Sequence, residues 1–273
     1  RLVEADIEVN NIYFDEAHNS VAKNFHIATK HFATLNHIRC FFFTATPKHS
    51  LTPKKAGMND FDVYGKVICQ VPAPELVDGG YILAPKVNVR QLPISKDRNN
   101  WQRDADYLFE TIKEDKKDQV LVCARTTKQI INVIQNTDFV ESIKKIGYSW
   151  LVITSKTGAI IDGHKVTREQ FFNTLNSWGK DPSKKFIVLH HSILSEGINV
   201  NGLQSVIFLR NMDYVGISQT IGRVIRLGGE TKTYGLVTIP TYDNVGISTA
   251  RKVQAVVDVI FNKGEAAISE ITR

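Results

Sequence analysis

Residues 12–47 read IYFDEAHNSVAKNFHIATKHFATLNHIRCFFFTATP, and their pattern decides the fold. Ile12, Tyr13 and Phe14 form a short apolar run that leads straight into Asp15-Glu16-Ala17-His18. Val21, Phe25, Ala28, Phe32 and Leu35 then recur at helical spacing, which predicts an amphipathic helix. Ile38 to Phe43 make a second β-type run that ends in Thr44-Ala45-Thr46-Pro47. Strand, helix, strand with polar residues at the strand ends is an α/β signature, and open parallel sheets carry their chemistry at the carboxyl ends of strands. Both polar clusters fall there.

The alternation resumes further along. Residues 47–60 are rich in Pro, Lys, Gly and Asn and read as a loop, and Phe61 to Leu92 reads as strand-like and rich in turns. This places a domain boundary near residues 78–92, with 1–82 as one domain and 83–273 as the next. Trp101 to Ile112 has helical spacing. Val120 to Cys123 reads as a buried strand, followed by a helix with Ile130, Ile131 and Ile134. Trp150 to Ile153, Phe186 to Leu189, Val206 to Leu209 and Tyr234 to Ile239 are further strands. Thr167-Arg168-Glu169-Gln170 has the form of a capping box, opening a helix with Phe171, Leu175 and Trp178 on one face. The last helix sets Val253, Val256, Val257 and Ile260 on one face and stops near Gly264.

The bulk numbers bound the function. The chain has 273 residues, is 42% hydrophobic and 23% charged, and carries a net charge of +6. That describes a globular chain with a substantial core and a mild basic excess, compatible with a polyanionic partner. Cys40, Cys69 and Cys123 are too scattered for a metal or disulfide framework, which points to a reducing, intracellular compartment such as the cytoplasm. No apolar run approaches a membrane span. Residue 1 is Arg and the chain enters directly into structured sequence, so we read it as a piece of a longer product.

The second stretch with chemistry is LRNMDYVGISQTIGRVIRL, residues 209–227. Gln219, Arg223 and Arg226 stand at i, i+4 and i+7, so one helix face would carry an amide and two guanidiniums, with Gly222 allowing close approach beside them. Ile221, Val224 and Ile225 supply the apolar face. Two arginines a turn apart suit phosphate, although a surface helix pairing its arginines with nearby acids has the same pattern. Asp15-Glu16 at a strand end suits a nucleotide-hydrolysing acid pair, the Asp holding Mg²⁺ and the Glu orienting a water, although acids at a helix start look alike.

Taken in order, these stretches resemble the superfamily 2 helicases, the DEAD/DEAH-box and restriction-helicase group. Ile12 to His18 is similar to motif II, Thr44 to Thr46 to motif III, Val120 to Arg125 to motif IV, Ser192 to Asn199 to motif V and Gln219 to Arg226 to motif VI. The resemblance implies two RecA-like parallel-sheet domains, with ATP between them and nucleic acid across their tops. It implies that Asp15 binds Mg²⁺ through water, that Glu16 is the catalytic base, and that Gly197, Asn199 and Gln219 lie toward ATP. It assigns coupling and nucleic-acid contact to His18, Thr44, Thr46, Ser195 and Glu196, and makes Arg223 and Arg226 arginine fingers. Members often have Asp where this chain has Asn199, so a neutral hydrogen bond would replace a charged ribose contact.

One part of the family pattern has no counterpart. The phosphate cradle G-x-x-x-x-G-K-[ST] should lie well before motif II, and fourteen residues precede Asp15. Gly158 through Gly163-His164-Lys165-Val166 has His before Lys and no Ser/Thr after it, and reads as a turn before the Thr167 helix. The expectation is therefore an ATP-dependent helicase or translocase whose first domain is truncated on its N-terminal side. The upstream part of the same polypeptide would carry the phosphate loop, and this portion alone would hydrolyse ATP poorly. Its partner would be single- or double-stranded nucleic acid, DNA slightly favoured over RNA. A non-catalytic nucleic-acid-binding module that keeps helicase-like surfaces is the alternative.

Overall fold

A computed structural model describes residues 9–52, 54–92, 99–191, 202–209, 212–228, 232–241 and 246–264. The chain divides into two units, residues 1–72 with 264–273 and residues 73–263, and each is described by itself. The division falls after Pro72.

In the first unit, β1 (Asn11–Phe14) runs parallel to β2 (Arg39–Phe42), with Asn11 opposite Arg39 and Phe14 opposite Phe42. Between them come a 3-10 turn (Ala17–Val21) and α1 (Lys23–Ala33). Side chains alternate across a strand. Phe14 therefore stacks on Phe42 at 4.8 Å on one face and Tyr13 on Phe41 at 5.2 Å on the other. The short helix α2 (Phe61–Tyr64) brings Tyr64 against Phe42 at 5.0 Å. The amphipathic helix forms as its spacing predicts, but Thr29 is its buried residue and Phe25 and Ile27 stay exposed.

The stretch 61–92 is less strand-like than its composition implies. It forms α2, then α3 (Ala73–Asp78), and only then β3 (Pro85–Gln91). Pro74 sits in the first turn of α3, where its missing N–H removes no helical bond.

The second unit continues with α4 (Asn100–Asp115), β4 (Gln119–Cys123), α5 (Thr127–Gln135), α6 (Phe139–Lys145) and β5 (Ser149–Thr154). Next come β6 (Gly158–Ile161), β7 (His164–Val166), α7 (Arg168–Lys180), β8 (Phe186–His190) and β9 (Ser205–Phe208). It ends with α8 (Tyr214–Val224), β10 (Gly235–Thr241) and α9 (Ile247–Val256), which runs on as a π-helical turn, Val257–Asn262. One sheet takes the order β3-β10-β9-β4-β8-β5-β6-β7, parallel from β3 to β5 and antiparallel at β6 and β7.

Alternation along the strands fills two cores. Leu121, Leu151, Phe186, Val188, Val206 and Val237 pack with Phe171, Ile221 and Val253 of α7, α8 and α9. Val120, Val122, Trp150, Val152, Ile187 and Ile207 pack with Leu108, Ile130 and Phe139 of α4, α5 and α6. Every residue of β4, β8, β9 and β10 is buried, as expected of parallel strands covered on both faces. The predicted α/β class is the observed one.

The Thr167 capping box is present. Its hydroxyl accepts the Gln170 N–H at 3.1 Å, and the Gln170 side chain accepts the Thr167 N–H at 3.0 Å. Thr167→Ala should lower the stability of this unit by about 1 kcal/mol in urea unfolding, and an unchanged midpoint would count against the cap.

The reading of residues 158–166 as a mere turn is corrected. They form the β6–β7 hairpin, which extends the sheet from β5. Asp162 and Gly163 occupy its tip with φ of 46° and 93°, the backbone that an Asp-Gly pair supplies.

Candidate active site

In the first unit, the carboxyl ends of β1 and β2 meet. The Ala17 N–H donates to the Phe43 carbonyl at 2.9 Å, tying the loop after β1 to the end of β2. Glu16 adopts left-handed backbone (φ 46°, ψ 47°), a conformation uncommon for a side chain of this size. It turns the carboxylate back toward His18, with Oε2 3.4 Å from Nδ1.

His18 is fully buried and joins the two polar clusters. Its Nδ1 lies 3.0 Å from Thr44 Oγ1 and 3.3 Å from Thr46 Oγ1. The Thr46 N–H in turn donates to Thr44 Oγ1 at 3.1 Å. A buried imidazole held this way cannot rotate without leaving polar groups unsatisfied. Asp15 is exposed, and its Oδ1 accepts the Glu16 N–H at 2.9 Å. Among the described residues no group of three or more His, Cys, Asp or Glu could hold a metal. A single carboxylate with an oxygen still open suits Mg²⁺, which keeps most of its water and takes few protein ligands.

A second layer supports this loop and was missed in the sequence. Ser20 Oγ donates to the Ala17 carbonyl at 2.6 Å and lies 3.2 Å from the Tyr64 hydroxyl, which is also 3.2 Å from His26 Nδ1. Burial pushes the Tyr64 hydroxyl upward in pKa, keeping it neutral. Tyr64 lies 44 residues beyond Ser20, and no local pattern marks it.

In the second unit, α8 carries Gln219 and Arg223. Asp213 caps it, accepting the Gly216 N–H at 2.7 Å. Ile221, Val224 and Ile225 are buried as the apolar face requires. Arg223 is also buried, Gln219 is half-buried, and a side chain at Gly222 would meet open space.

The expected single helix face is corrected at Arg226. α8 ends at Val224, and Arg226 pairs with Ile82 in an antiparallel bridge. The Leu83 N–H takes the Ile225 carbonyl at 2.7 Å, and Lys232 Nζ takes the Arg226 carbonyl at 2.7 Å. These long-range bonds recruit backbone that another helical turn would have used.

After β4, the Arg125 N–H donates to Gln129 Oε1 at 2.7 Å, and Gln129 Nε2 donates to Asp104 at 2.7 Å. Cys123 Sγ and His190 Nε2 lie 3.0 Å apart, both buried, at the ends of the adjacent strands β4 and β8. Ser195, Glu196, Gly197 and Asn199 lie outside the described residues.

The structure thus gathers Glu16, His18, Thr44 and Thr46 around one imidazole, with Asp15 beside them. It sets Gln219, Arg223 and Arg226 on one helix and the segment that follows it. A mostly parallel sheet flanked by helices is the layout of RecA-like domains. Residues 103–228 match the family described as the helicase conserved C-terminal domain.

Solved structures agree in fold. The DNA-bound ATP-dependent Type ISP restriction-modification enzyme LlaBIII matches with a TM-score of 0.69 at 17% identity, over 98% of this chain and 22% of that one. The fragment of a putative HsdR subunit of a type I restriction enzyme from Vibrio vulnificus matches at 0.60 and 14% identity, over 96% and 47%. Dbp5 of S. cerevisiae, bound to RNA and ADP BeF3, matches at 0.55 and 15% identity, over 98% and 62%. The chain therefore spans less than two thirds of the length of each. No relative matches among curated proteins.

Proposed function

We propose that this chain forms part of an ATP-dependent motor that couples ATP hydrolysis to movement along nucleic acid. The observation that carries the reading is the His18 bridge. One buried side chain joins the acidic loop after β1 to the threonines after β2, as a device relaying nucleotide state requires. In this reading Asp15 holds Mg²⁺ through water, and the ion when bound neutralises charge on the phosphate oxygens. Glu16 accepts a proton from the attacking water. Gln219, Gly197 and Asn199 face the nucleotide, and Arg223 and Arg226 reach its γ-phosphate. Ser195 and Glu196 face the nucleic acid. The phosphate loop comes from an upstream part of the same polypeptide.

Nucleic acid is held through its phosphates, so binding tolerates sequence and weakens steeply with salt. DNA is slightly favoured over RNA: LlaBIII, with a TM-score of 0.69, is bound to DNA, and Dbp5, at 0.55, to RNA. Glu16→Gln, in a protein extended to include the phosphate loop, should remove ATP turnover and leave ATP binding intact. Turnover that survives the substitution would remove Glu16 from the role of base. A second reading, a non-catalytic nucleic-acid-binding module, draws support from residues 158–166. The stretch nearest to a phosphate-loop spacing is a β-hairpin, not a loop joining a strand to a helix.

A further inference from the structure

The sheet order sets β10, β9 and β4 side by side and parallel, so the residues just before these strands meet along one edge. A cavity of about 210 Å³ opens there, lined by Lys117, Asp118, Gln204, Lys232, Thr233 and Tyr234. It lies at the amino ends of the strands, and none of its side chains has a role in the function proposed above.

The chemistry of its walls is specific. Lys232 is held in place, its ammonium donating to the Leu203 and Arg226 carbonyls at 2.7 Å each. An ammonium has three protons, so one remains for a ligand. The Lys117 ammonium stands 4.7 Å from the Tyr234 ring centre, and that of Lys86 stands 5.3 Å from the same ring. Gln204 gives its carbonyl oxygen to the Asp118 N–H at 3.0 Å, which leaves its NH₂ end as a donor. Asp118 is the carboxylate in the wall, and its Oδ1 lies 3.3 Å from Lys185 Nζ. Lysines thus outnumber acids. Burial, and then the neighbouring Lys117, pull Lys232 down to about 8.

We propose that this cavity binds a phosphate group, with Lys117 and Lys232 supplying the charge and Gln204 and Thr233 the neutral donors. A phosphate dianion balances two ammoniums and offers an acceptor to each donor, whereas a carboxylate would leave one ammonium unmatched. The phosphate belongs either to a nucleic-acid backbone or to a free ion.

The test is NMR of the 273-residue chain with labelled lysine and tyrosine side chains, titrated with inorganic phosphate at constant ionic strength, with chloride as control. The signals of Lys117, Lys232 and Tyr234 should shift saturably with phosphate alone, and the titration of Lys232 should move up. Lys117→Gln should weaken binding about tenfold, the effect of one charge-assisted hydrogen bond. This variant spares the fold, whereas Lys232 also holds two carbonyls. Absence of saturation, or full affinity in Lys117→Gln, overturns the proposal. So does binding that is lost in Arg226→Ala but kept in Lys117→Gln, which would place the anion on the arginines. A second arm replaces phosphate with a single-stranded oligonucleotide. The same shifts assign the site to backbone phosphates, and shifts with free phosphate only assign it to the ion. ATP turnover enters none of these readouts, so the site stands or falls apart from the motor reading.

Discussion

Arg226→Ala should reduce ATP turnover by about 10³- to 10⁵-fold in a protein that carries the phosphate loop, the range for loss of an arginine finger. Two contacts at this position are made by the backbone alone. Its backbone is fixed by the bridge to Ile82 and by the Lys232 ammonium, neither of which needs the side chain. The segment should therefore stay in place when the guanidinium is removed. Nucleic-acid affinity should be largely kept, and turnover should fall because charge developing on the γ-phosphate loses its partner. Arg226→Lys should recover little, since an ammonium lacks the planar fork. Arg223→Ala should reduce turnover as well, but Arg223 is buried in α8, so its replacement also destabilises the unit. Comparing the two separates chemistry from packing. Near-normal turnover in Arg226→Ala would exclude it as a finger.

The second large effect is on stability. Gly202→Ala should destabilise the second unit by about 2–5 kcal/mol, combining left-handed strain with overpacking. Gly202 has φ of 83°, and a Cβ there would lie 1.9 Å from the Gly179 carbonyl oxygen and 2.3 Å from Gln119 Oε1. The carbonyl is backbone at the end of α7 and has little room to move. Gly158→Ala is the matched control, because its φ is 71° and nothing lies within 4 Å of the added carbon. It should show the backbone strain alone, about 1–2 kcal/mol. Trp101, Trp150 and Trp178 all lie in this unit, so tryptophan fluorescence in urea follows its unfolding selectively. Equal losses at both glycines would mean that the loop before β9 yields freely.

Legibility in the sequence followed the range of the forces. The buried strands β4, β5, β8 and β9 and the α7 cap are written in local periodicity and capping chemistry, and each was readable. The two polar clusters were readable as strand ends because the apolar runs before them are unambiguous. The clasp between them was not, since His18 and Thr44 are 26 residues apart. The β6–β7 hairpin carried a local signal, Asp162-Gly163, that the following helix start masked. Arg226 left the helix because Ile82 and Leu83, far back in the chain, took the backbone that spacing alone assigned to α8. Tyr64 supports the acidic loop from a helix of four residues, too short to show a period.

The most direct measurement is ATP hydrolysis by this chain and by a version extended upstream, each with and without single-stranded DNA or RNA, and with Glu16→Gln as the control. The motor reading predicts activity in the extended protein, stimulation by nucleic acid, and silence in Glu16→Gln. An extended protein that binds single strands yet hydrolyses no ATP would contradict it and leave a binding module built on a helicase fold.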